Sequence, residues 1–128
     1  MTVQYLEIVT PAVEETCAAL GEAHGVEFSE KIAGFGFART ARLEGGGLIG
    51  VRAPLRSTEE PVVRPYLLVD DMPAALAAAE KAGAEVAIPS MEIPGYGSFA
   101  IYILGGIEHG LWQNPDTAAS ESPKTSGE

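Results

Sequence analysis

Val69–Gln113, VDDMPAALAAAEKAGAEVAIPSMEIPGYGSFAIYILGGIEHGLWQ, carries the pattern from which the rest of the chain is read. A short apolar run ends in Asp70-Asp71, where a carboxylate can accept from the first backbone N–H groups of the Ala-rich segment that follows. That segment predicts a helix over residues 72–82, stopped by Gly83. Three apolar stretches separated by glycines come next and read as strands. The order is strand, helix, then three strands.

The same pattern occurs earlier. Tyr5-Leu6 lies 61 residues before Tyr66-Leu67, Thr10 lies 61 before Asp71, and Ile32–Gly36 lies 61 before Ile93–Gly97. Gly50-Val51 and Gly110-Leu111 are 60 apart, while the helix stops Gly25 and Gly83 are 58 apart, so the first helix is longer. Self-similarity at one period outranks residue-by-residue propensity. It predicts an α+β chain made of two βαβββ units, with about eight strands and two main helices. The units span about 3–53 and 62–115, joined by a polar, proline-bounded linker at 54–61 and followed by a tail at 116–128. The tail has no aromatic or branched apolar residue and is expected to be disordered and without a catalytic role.

Within the first unit, residues 3–9 predict a strand. Thr10 is expected to cap the first helix with Pro11 at its first position, and Val13, Cys17 and Leu20 recur at helical spacing. His24-Gly25 closes that helix, the imidazole serving as a dipole partner. Phe28 to Val51 reads as three strands broken near Gly34-Phe35-Gly36 and Gly45-Gly46-Gly47. The triple glycine is a hairpin turn, since no helix and no Lys-Ser/Thr follows it to make a phosphate loop.

The duplicated βαβββ layout, with the wording VDDMPAAL, MEIPGYGSFA and GLWQNP, resembles the vicinal oxygen chelate superfamily of glyoxalase I, extradiol dioxygenases and bleomycin-resistance proteins, over roughly residues 3 to 115. The resemblance implies a glyoxalase/bleomycin-resistance-like open barrel, each unit bending its strands into a trough that holds ligand and metal. It also implies metal ligands, usually His with Glu or Gln, on the first and last strands of each unit. Those places fall on Tyr5, Gly50, Tyr66 and Gly110, with a slip from Tyr66 to Arg64 left open. Glycine has no side-chain donor and neutral tyrosine is a poor ligand for hard or borderline metals. The expectation is therefore a chain without metal and without cofactor, and the superfamily's metal-dependent activities are in doubt. A shifted register could instead recruit Glu7, Glu108 and His109, although neighbouring strand residues such as Glu108 and His109 point to opposite faces.

Strand alternation places further residues with these. Gly50 and Gly110 bring Arg52, Glu108 and Trp112; Tyr5 brings Glu7; Tyr66 brings Arg64 and Leu68. The expected ligand-binding set is Tyr5, Glu7, Arg52, Arg64, Tyr66, Leu68, Glu108 and Trp112, with open space left over the two glycines. The plainer alternative is that Tyr5, Tyr66 and Trp112 fill a core. Glu7 and Glu108 are the candidate bases and also the candidate partners of the arginines; full pairing would make the cluster structural, whereas arginines kept partly free would serve a ligand. If the arginines serve a ligand, Arg52→Leu or Arg64→Leu weakens it and leaves the fold intact.

The net charge of −10 excludes a nucleic-acid or anionic-membrane footprint. All five arginines nevertheless fall between positions 39 and 64; they are either ordinary solvated strand-face residues or a strip that steers a small anion. No apolar run reaches the roughly 18 residues of a membrane helix, and the N-terminus lacks the features of a signal peptide. The single cysteine, Cys17, forms no internal disulfide and reads as a small core residue, so the expected setting is the cytoplasm. The function expected is binding of a mid-sized aromatic or anionic small molecule by a homodimer. The alternative is a glyoxalase-like lyase, isomerase or dioxygenase working with relocated ligands or without metal.

Overall fold

In a computed structural model of the chain, residues 1–115 are described. They form seven strands and two α-helices: β1 (Val3–Val9), α1 (Val13–His24), β2 (Arg39–Arg42), β3 (Leu48–Arg52), β4 (Val62–Leu68), α2 (Met72–Lys81), β5 (Glu85–Ile93), β6 (Gly97–Leu104) and β7 (Ile107–Gln113). The α+β class read from the sequence is present, with strand, helix and two strands followed by strand, helix and three strands. The expected tail, 116–128, lies outside the described residues. No helix among the described residues is long and apolar enough to cross a membrane.

The chain divides into two compact units, Met1–Leu67 and the part from Leu68 onward. In the first unit the strand order is β2-β3-β1-β4. β1 runs parallel to β3 and antiparallel to β4, while β2 and β3 form an antiparallel hairpin around the triple glycine. All three of those glycines have positive φ, from 89° to 107°, which a side chain would resist. In the second unit β7-β6-β5 is an antiparallel meander.

Two local expectations are corrected. The first helix starts at Val13 with Ala12 as N-cap and no side-chain cap. Thr10 is held instead at the end of the strand, its N–H donating to the Arg52 carbonyl at 2.9 Å. Its hydroxyl only accepts from Ala12 N–H at 3.1 Å. The first of the three strands read from Phe28 onward is also missing, leaving an isolated bridge between Ile32 and Ala38 and hence seven strands where about eight were expected. Isolated backbone bonds and side chains share that segment: Ser29 N–H donates to the Thr40 carbonyl at 2.7 Å, Ser29 Oγ accepts from Thr40 N–H at 3.0 Å, and Arg39 Nε donates to the Ser29 carbonyl at 2.9 Å. Such side-chain bonds compete with a regular ladder.

α2 follows its sequence signal. The Asp71 side chain accepts from Ala74 N–H at 3.0 Å, and Gly83 ends the helix at φ 110°. Gln113 adds a second cap that composition does not reveal, its side-chain oxygen accepting from Met72 N–H at 2.7 Å.

Candidate binding site

The register of β1 builds the site. Tyr5, Glu7 and Val9 are buried while the residues between them are half-exposed, so alternation puts a carboxylate on an otherwise apolar face. Tyr5 stands opposite Tyr66 on β4, and Glu7 stands between Gly50 on β3 and Arg64 on β4. Glu7, Arg52 and Arg64 are only 6%, 6% and 7% exposed.

Glu7 is the hub. Arg52 Nε donates to its Oε2 at 2.8 Å, while Arg64 Nη1 and the Tyr66 hydroxyl both donate to Oε1, the latter at 2.9 Å. Arg52 also reaches outward. Its Nη1 and Nη2 donate to Glu59 Oε1 and Oε2 at 3.0 and 2.7 Å, the bidentate fork that suits a guanidinium to a carboxylate. Glu59 Oε1 accepts from Leu55 N–H as well, at 2.8 Å. Two carboxylates and two guanidiniums thus form one charge-balanced network across β1, β3, β4 and the segment after β3.

Electrostatics follow from that wiring. The bond to Arg52 holds the Glu59 carboxyl down at about 2. Burial disfavours the Arg52 charge, but its bonds to Glu59 and Glu7 outweigh burial and raise its pKa. Burial, reinforced by the negative charge of Glu7, pushes the Tyr5 and Tyr66 phenols up, so both stay neutral. Tyr5 packs edge-on against Phe35 with ring centroids 5.1 Å apart, and lies 5.5 Å from Tyr66.

The open space expected over Gly50 is not there. A Cβ on Gly50 would lie 2.0 Å from the Tyr5 hydroxyl oxygen and under 3 Å from two ring carbons. The phenol has taken the volume that the glycine vacates. Two of the positions where the resemblance places metal ligands, Tyr5 and Gly50, therefore fill one another. A neutral phenol against a residue with no donor does not fit a divalent cation. Arg64, the alternative under a register slip, brings a positive charge. Among the described residues no three His, Cys, Asp or Glu side chains converge as a metal site would need.

The remaining sequence candidates lie in the second unit. Trp112 is buried, with its carbonyl accepting from Val69 N–H at 2.8 Å. Leu68 is half-buried at the end of β4. Glu108 is exposed near the start of β7, opposite Ile103. His109 stacks on Tyr102, its cross-strand neighbour, with centroids 5.2 Å apart and planes 7° apart. The imidazole and carboxylate suggested for a shifted register are thus used or placed separately. The arginine strip also splits: Arg42 and Arg56 are exposed and Arg39 bonds Glu14 on α1 at 2.5 Å, leaving Arg52 and Arg64 at the site.

Glu59 is the residue that sequence reading missed. Its only signal was the acidic pair Glu59-Glu60 inside a segment read as linker. With Arg52 holding Glu7 and Glu59 together, the expectation that Arg52→Leu leaves the fold intact also changes. Removing the shared partner of two carboxylates carries a stability cost as well as a ligand cost.

Across 93% of its length the chain superposes on methylmalonyl-CoA epimerase from Mycobacterium tuberculosis, covering 91% of that chain, with TM-score 0.70 and 14% identity. A hypothetical protein from Bacillus halodurans matches with TM-score 0.70 and 11% identity, over 90% of this chain and 95% of that one. The chain has the vicinal oxygen chelate fold. Methylmalonyl-CoA epimerase from Streptomyces coelicolor, solved with 2-nitronate-propionyl-CoA, superposes with TM-score 0.67 and 14% identity over 91% of this chain and 96% of that one. No family model and no curated protein sequence matches the chain. At these identities the likeness establishes the fold, while the activity has to be argued from the site.

Proposed function

We propose that this vicinal-oxygen-chelate fold serves here as a metal-independent receptor for a mid-sized aromatic or anionic small molecule, bound at the Arg52–Glu7–Arg64 cluster of the first unit. The observation that carries the reading is three charged side chains, Glu7, Arg52 and Arg64, buried on a strand face beside Tyr5, Tyr66 and Phe35. Apolar side chains of similar volume stabilise such a face as well or better than buried ion pairs. Retention of the charges is what recognition of a ligand would require. The Streptomyces coelicolor neighbour, solved with an anionic acyl-CoA analogue, is consistent with a negatively charged ligand for this chain too.

The alternative, an isomerase, lyase or dioxygenase, has less support in the residues. A base needs a lone pair within reach of the substrate proton, and both Glu7 oxygens already accept from guanidinium or phenol donors. Glu108 stands exposed on β7. The proposed setting is the cytoplasm and the proposed assembly a homodimer, for which light scattering should return twice the 13.4 kDa chain mass.

Calorimetric titration with benzoate tests the binding reading. Lys keeps the charge of Arg but cannot form the two-pronged contact. Arg52→Lys and Arg64→Lys should each weaken benzoate by about ten- to a hundredfold, the equivalent of roughly 1.5–3 kcal/mol for a charge-assisted hydrogen bond. Unchanged affinity in both variants would remove the cluster from the site.

A further inference from the structure

We infer that Glu59 is a built-in occupant of a carboxylate site on Arg52, and that the ligand of this protein carries a carboxylate which displaces it. This deepens the reading above and rests on it. Three donors define the position. Arg52 Nη1 and Nη2 point the same way, and Leu55 N–H joins them, all three engaged by the Glu59 carboxylate at 2.7–3.0 Å. A bidentate fork with a backbone N–H beside it is a receptor for any planar carboxylate, not only for Glu59.

The two acids on Arg52 are held very differently. Glu7 lies in the middle of β1 with paired strands on either side, and its oxygens also bind Arg64 and Tyr66. Glu59 lies outside any strand, in a segment whose residues 55–58 and 60–61 are all exposed. One turn bond, Glu59 N–H to the Arg56 carbonyl at 3.1 Å, is the backbone link described at that residue. Swinging Glu59 out therefore leaves the Glu7 half of the network standing.

The surroundings name the rest of the ligand. Leu55 is 63% exposed although it sits against the site. A Cβ on Gly36 would lie 3.1 Å from Arg52 Cδ and 3.6 Å from Leu55 Cδ1, so the bare Gly36 backbone borders both. The next residue, Phe37, is 58% exposed and held at φ 67°, a conformation that bulky residues seldom adopt. Its N–H donates to the Ile32 carbonyl at 2.9 Å, which keeps the turn in that shape. An exposed leucine and an exposed phenylalanine on the segments flanking a carboxylate fork suit a compact monocarboxylate with an aromatic or branched aliphatic body.

An internal occupant lowers apparent affinity by the fraction of time the site is open. Its removal must then tighten a binding already measurable in wild type, whereas a purely structural ion pair would leave wild type without benzoate binding and create it only in the variants. Benzoate is titrated into wild type, Glu59→Gln and Glu59→Ala, with Glu59→Ala/Arg52→Lys as control. Circular dichroism verifies that each variant is folded. The expected result is a Kd lower by about tenfold or more in both single variants, with the gain lost in the double variant. Benzoate should also raise the Tm of Glu59→Ala more than that of wild type, by standing in for the missing carboxylate. Equal benzoate affinity in wild type and both Glu59 variants, still weakened by Arg52→Lys, would overturn the role of Glu59 and leave the Arg52 site intact. No benzoate binding by any folded variant at millimolar concentration would overturn both.

Discussion

Replacing Glu7 by Gln removes one charge from the hub and changes its shape very little. The structure sets the expected cost. Three donors from Arg52, Arg64 and Tyr66 converge on this one carboxylate, which is 6% exposed. The amide keeps one acceptor oxygen and turns an NH2 group towards a guanidinium donor. Breaking a buried ion pair by removing one partner typically costs about 3–5 kcal/mol. For a domain of this size, at about 4 °C per kcal/mol, that is a fall in Tm of roughly 12–20 °C, and at least about a fifth of a typical stability of about 5–15 kcal/mol. Urea and thermal unfolding at pH 7, followed by circular dichroism, measure it. A companion chain with Glu7, Arg52, Arg64 and Glu59 all replaced by apolar residues of similar volume should lose less than Glu7→Gln alone, because no partner charge of the network is stranded. If Glu7→Gln stays within about 1 kcal/mol of wild type, the carboxylate is not the hub of a buried network.

Gly50→Ala places a methyl 2.0 Å from the Tyr5 hydroxyl and should cost about 1–3 kcal/mol through overpacking. The loss should shrink in a Tyr5→Ala background, and additive costs in the double-mutant cycle would contradict the account. Acid titration tests Glu59: its carboxyl lies at about 2 in the fold against an ordinary 4.5, so its contribution is fully present above pH 4.5 and disappears as the pH falls towards 2. The Tm curves of wild type and Glu59→Gln should accordingly be separated at neutral pH and converge in acid, whereas parallel curves would show that the Arg52–Glu59 pair contributes nothing.

The duplication was legible because the copies share their turn glycines, although only the second keeps the helix cap. Asp71 caps α2 by the bond its position predicts, and the turn glycines Gly36 and Gly97 both sit at positive φ. The strand expected after Phe28 failed where side-chain bonds of Ser29 and Arg39 stand beside single backbone bonds instead of a continuous ladder, and such bonds leave no periodicity. Alternation also indicated which residues share a face with Tyr5 and Tyr66. It could not show how far a side chain reaches. The Tyr5 ring folding over Gly50 depends on a rotamer, and the closure of Glu59 onto Arg52 depends on the path of an irregular segment. Neither has a signature in residue type or spacing, so the emptiness expected over Gly50 gave way to packing, and the contact that Glu59 makes from the connecting segment went unread.

The claim that this fold recognises an anion without a metal is tested most directly by titrating benzoate calorimetrically into protein stripped with EDTA, beside the same protein before stripping. Metal content is measured on both samples. The account predicts the same Kd in each, since Arg52, Arg64 and the backbone N–H of Leu55 supply the attraction. Binding that is lost on stripping and restored by one equivalent of zinc, nickel, manganese or iron would contradict it.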